Sequence, residues 1–148
     1  MNKLLRAVPG LGVVDLDHPG VGYRMTSLNS LKDVQQRHIA GTCRQAEAAS
    51  VPALAGIFHA DHRELIAHQN QWPFRIVNYM DLIGESVGLT RHDRFKELKL
   101  MQAADAIMAE TRDLAEAYGL DPDEVRGVIA NDMLADQHLP IDRTRHPN

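Results

Sequence analysis

The chain has a single cysteine, Cys43, among its 148 residues, which excludes an internal disulfide and a cysteine-built zinc site. Cys43 sits in an Ala-rich helical stretch, where a buried, inert thiol is expected. Aromatic residues make up only 5% of the sequence, so aliphatic side chains, methionine and alanine must fill the interior. That composition leans helical. No apolar run approaches membrane-spanning length, and the opening MNKLLRAVPGLG lacks the sustained apolar stretch of a secretory signal. A strong charge of either sign is also missing. The formal net charge of −4 gives no basis for capturing nucleic acid or an anionic membrane. There is no Gly-x-Gly-x-x-Gly or Walker-type phosphate loop, and no Gly-x-Ser-x-Gly nucleophile turn. The compartment these absences favour is the cytoplasm, or a particle assembled there.

What is present fits an ordinary globular protein: 44% hydrophobic and 24% charged residues, in a length that argues for one domain with a sizeable core. Up to Ser50 there are six basic and four acidic residues, a balance of +2. From Asp121 onward, three basic and six acidic residues give −3. That asymmetry would suit head-to-tail packing between subunits.

Residues 1–29 form an arm apart from the rest. Pro9, Gly10, Gly12, Pro19, Gly20 and Gly22 rule out a long helix there. Val13–Leu16 and Val21–Met25 are β-capable and flank Asp17-His18-Pro19-Gly20, a pattern equally compatible with a β-hairpin and with an extended arm on a neighbouring surface. Residues 30–140 read as a bundle of about five helices, with 141–148 as a tail. Helix one is predicted from Ser30 to about Ala49. Helix two starts with Ser50 as N-cap and Pro52 in its first turn, and Val51, Leu54, Ala55, Phe58, Leu65 and Ile66 form its stripe. Helix three runs from Pro73 to Gly88. A fourth helix of about 40 Å runs from Thr90 to Gly119, opened by Thr90 and Asp93 and closed by Gly119. Its broad apolar face includes Ala104, Ile107, Met108, Thr111, Leu114 and Tyr118. Helix five has Asp121 as N-cap, Pro122 at its first position and Glu124 completing the box, and Pro140 stops it. The expected class is therefore all-α: a single-domain helical bundle with an irregular N-terminal arm.

Two ionisable residues fall on apolar faces. His62 lies within the stripe of helix two, three residues after His59, and Asp132 shares a face with Val125, Val128, Ile129 and Met133. An ionised carboxylate on such a face is costly unless paired. One reading joins His59, His62, Asp132 and Asp136 into a mixed nitrogen and oxygen site for a divalent metal ion with an open water position. The plainer reading, which we favour, makes His62 a core histidine bonded to a carbonyl or to Asp132. It gives Asp132 an arginine or a subunit interface, and no cofactor is then needed. His38 is expected to pack or cap. His18, His68, His92, His138 and His146 are expected at the surface or in loops.

The stretch Gln102-Ala103-Ala104-Asp105 through Gly119-Leu120-Asp121-Pro122-Asp123-Glu124 and Asn131 faintly resembles the all-α nucleotide pyrophosphohydrolases. That family holds magnesium with Glu-x-x-Glu and Glu-x-x-Asp pairs, so the resemblance implies a magnesium-dependent hydrolase. This chain offers Asp81 and Glu85 at i,i+4 and has Gln102 where a Glu is needed, which removes charge that magnesium wants. A helix-turn-helix around Gly119 is geometrically open, but its second helix begins with Asp121, Asp123 and Glu124, which repel phosphate.

Apolar residues off the buried stripes carry the remaining expectation. Ile57, Phe74, Leu82, Phe95 and Leu98, together with the arm, would form a shared contact surface. The sequence thus favours a non-enzymatic subunit acting through contacts with itself or another protein, without nucleic acid or membrane. The alternative is a metal-dependent hydrolase.

Overall fold

The structure, a computed structural model, describes residues 2–16 and 30–134. The expectations for Asp17–Gly20, Val21–Met25, Asp136, His138, Pro140 and the tail 141–148 lie outside the described residues. The described residues form two compact units, one up to His92 and one from Asp93 to Leu134.

The first unit is not a set of helices alone. It contains α1 (Asn2–Leu5), α2 (Lys32–Ala48), β1 (Ala53–Gly56), α3 (His59–Leu65), a 3-10 segment (Ile66–Gln71), β2 (Arg75–Asn78) and α4 (Tyr79–Ser86). Helix α2 is the predicted first helix, and it buries Gln35, Ile39, Ala40, Cys43 and Ala46. Their spacing of three to four residues is one helical face, and its small residues let the chain pack closely against it. Cys43 is fully buried, as its surroundings in the sequence lead one to expect.

Helix α2 stops because Ser50 turns left-handed, with φ of 52°. Ser50 N donates to Glu47 O and Val51 N donates to Ala46 O, the paired bonds of a Schellman ending. The residue expected to start a second helix is therefore the one that ends the first. Beyond it the chain is extended through β1, which pairs in parallel with β2 from Ala53 opposite Arg75 to Gly56 opposite Asn78. Helix α3 and the 3-10 segment provide the crossover that a parallel pair requires. The expected helix two is thus a strand followed by a seven-residue helix. The expected helix three is a strand followed by α4. A short apolar run such as Val51–Phe58 has too little length for its period to separate strand from helix. Ile76 and Val77, being β-branched, pack well in β2.

The core of this unit joins Ile39, Ala40, Cys43 and Ala46 of α2 to Leu65, Trp72, Phe74 and Ile76. Trp72 and Phe74 stack with ring centroids 6.0 Å apart. Ile76 has no exposed surface, a burial that stabilises by about 1.5–3 kcal/mol. Gly56 admits α3 to the sheet. A Cβ built there would lie 3.1 Å from the Cβ and 3.2 Å from the Cα of His62.

The second unit is helical: α5 (Arg94–Met101), α6 (Ala104–Ala117), α7 (Pro122–Val128) and a π-helical turn, Ile129–Leu134. The single long helix expected from Thr90 to Gly119 breaks at Gln102, whose φ is 54°, and at extended Ala103. The break folds α5 back so that Leu98 meets Ile107 and Ile129 in one small core. A straight helix would hold Leu98 and Ile107 more than two turns apart, with no way to share a partner. Arg94 spans the hairpin to Glu110 and also bonds Glu97, and these hydrogen bonds raise its guanidinium above the usual range. Both ends of the α6–α7 connection follow the sequence. Gly119, at φ of 64°, closes α6 with a Schellman pair, and the Asp121 carboxylate accepts from the amides of Asp123 and Glu124.

The fold is therefore helix-dominated but mixed, with seven α-helices and a two-stranded parallel sheet among the described residues, not a five-helix all-α bundle. No helix among them is long and apolar enough to cross a membrane.

Candidate functional site

Parallel pairing fixes which main-chain groups of β1 face β2. Arg75 N donates to Pro52 O, so in the alternating ladder the groups of Leu54 and Gly56 point toward β2. The N–H and C=O groups of Ala53 and Ala55 point the other way. On the far side of β2 the same alternation turns Ile76 N outward, where Gln69 Oε1 accepts from it at 2.8 Å. That edge is capped by a side chain. The edge at Ala53 and Ala55 makes no such bond among the described residues.

Segment 11–16, which has no regular secondary structure, and residues Ala53, Leu54 and Ala55 of β1 together line a groove of about 470 Å³. Arg6 holds the segment through Val13 O at 3.5 Å and the Asp15 carboxylate at 2.6 Å. Val13, Leu16, Leu54, Ile57 and Leu82 give the groove an apolar lining, and Asp15 is the one ionisable residue among the described residues that line it. The volume falls within the ~300–1,000 Å³ of ligand-binding clefts.

The five expected contact residues divide. Ile57 and Leu82 both line the groove. Phe74 is in the first core and Leu98 in the second, so neither presents a surface. Phe95 is half-buried beneath the Lys99 ammonium, 5.8 Å from the ring centroid. Nothing in the residue pattern marks Ala53 and Ala55, because the direction of a main-chain amide depends on the strand register. The pair Pro52 and Gly56, bracketing a short apolar run, was the available hint of a strand.

The His59 and His62 imidazoles and Asp132 belong to different units. His59 is exposed on the first turn of α3, and His62 is buried on the same helix. Asp132 is exposed in the second unit. The wider π turn rotates its side chain further from the Ile129 face than an α-helix would, so the carboxylate stays hydrated and needs no buried partner. No three His, Cys, Asp or Glu side chains gather where they could hold a metal ion among the described residues. Asp81 and Glu85 lie one turn apart on α4 in the first unit, while Gln102 is the left-handed residue that ends α5. His68, expected at the surface, is buried in the 3-10 segment.

A second apolar surface lies on α6. Ile107, Thr111, Leu114 and Tyr118 recur every three to four residues and so share a face. Ile107 is 1% exposed, whereas Leu114 is 62% and Tyr118 is 74% exposed. The stripe extends past its own core. The chain matches no protein-family model, no curated protein and no solved structure.

Proposed function

We propose that this protein is a non-enzymatic interaction subunit, working through protein–protein contacts in a homo-oligomer or larger assembly in the cytoplasm. The observation that carries the reading is the exposed continuation of the α6 stripe, Leu114 and Tyr118. Apolar side chains in register with a buried face, yet open to water, form the kind of patch that marks an interaction site. Pairing that stripe with the same stripe of a second copy would bury both, in the self-complementary manner of a two-fold dimer. The test is light scattering after size exclusion at micromolar concentration, on the wild-type chain and on a Leu114→Gln/Tyr118→Ser variant. The expected result is an assembled wild type and a monomeric variant that keeps the wild-type helical circular dichroism. A strictly monomeric wild type, or an assembled variant, overturns this use of α6.

A further inference from the structure

The geometry points to the groove between segment 11–16 and β1 as a docking site for an extended, uncharged peptide segment, which would add to the sheet as a strand beside Ala53 and Ala55. The inference rests on the reading of this chain as a contact-making subunit and names what one of its surfaces receives. Three observations identify the occupant. First, the open edge offers two N–H donors and two C=O acceptors at the spacing of alternate strand residues. Groups in that array are matched by another extended main chain, the principle of β-strand addition. Second, the opposite edge of this small sheet is already capped by Gln69, which leaves β1 as the side where growth occurs. Third, the described residues that line the groove are apolar apart from Asp15, which is held by Arg6, so they offer no unpaired charge to a charged side chain entering it. The occupant is therefore an uncharged stretch with apolar residues at alternate positions.

The alternation also supplies a clean perturbation. Ala55→Pro removes an amide that faces the groove and leaves the bonds between β1 and β2 untouched, a substitution that edge strands tolerate. Hydrogen exchange followed by NMR on the full chain reads the site directly. In the free protein, Ala53 and Ala55 amides should exchange at least about tenfold faster than those of Leu54 and Gly56. The probe is a capped hexapeptide of alternating valine and threonine at millimolar concentration. It should slow exchange at Ala53 and Ala55 by about tenfold or more, and both its N-methylated form and the Ala55→Pro chain should abolish the effect. The N-methylated peptide keeps the test valid should the proline variant fail to fold. Equal protection of all four amides without peptide, no slowing with it, or slowing that survives N-methylation each overturns the proposal. Light scattering on the same samples separates the two readings. An oligomer that persists without peptide binding refutes the groove and leaves the subunit reading standing.

Discussion

Gly56→Ala distinguishes a strand from a helix by the sign of its effect. Were residues 50–66 one continuous helix, replacing an interior glycine by alanine would stabilise it by about 1 kcal/mol. In the β1–α3 arrangement the new methyl would lie 3.1 Å from the His62 Cβ and 3.2 Å from its Cα. Two of the three atoms it meets, Cα and N, are backbone, so no rotamer change relieves the contact and α3 itself must shift by a few tenths of an ångström. Overpacking of this kind destabilises by about 1–3 kcal/mol. For a unit of this size, about 2 kcal/mol lowers the unfolding midpoint by about 8–16 °C. The assay needs no label. The chain has one tryptophan, Trp72, and it lies in the core of the first unit, so its fluorescence follows that unit alone. A midpoint that rises, or stays within a degree of wild type, refutes the packing described for Gly56.

Ser50→Gly relieves a left-handed non-glycine residue and should stabilise the first unit by about 0.5–1 kcal/mol, read as a higher Trp72 midpoint in urea. A loss of stability would return Ser50 to the role of an N-cap. Gln102→Gly should leave the helical circular dichroism unchanged and the second unit no less stable, because its φ of 54° suits glycine. A loss near ~1 kcal/mol would instead be the mark of an unbroken helix. At dilutions where the chain is monomeric, Ile107→Ala removes a side chain that is 1% exposed and should cost about 2–4 kcal/mol in the second unit, while Leu114→Ala on the same face should stay within about 0.5 kcal/mol. Equal losses at the two positions in thermal melts of that unit would mean that the stripe is covered along its full length.

Much of the local structure was legible because it is set by neighbours in sequence. The burial of Cys43 follows from its place in an Ala-rich helical stretch. The close of α6 follows from Gly119, and the start of α7 from Asp121 and Pro122. Each depends on side-chain chemistry within one or two turns. The failures share a cause as well. Val51–Phe58 and Pro73–Val77 carry apolar residues that fit a helix wheel, but their main-chain partners are each other, some twenty residues apart in the chain. Loop closure over that distance, and the fit of α3 against Gly56, leave no periodic trace.

Local chemistry in the sequence was enough for the helix-rich character, the buried thiol, the close of α6 at Gly119 and the start of α7 at Asp121 and Pro122. The pairing of two short apolar runs as parallel strands, the turn-back of the long helix at Gln102 and, among the described residues, the unbonded edge of β1 arise only in the folded chain. The physical reason is that capping and helix faces are local, low-order interactions. Strand register, a left-handed break and a groove exist only once distant residues have exchanged hydrogen bonds and apolar contact.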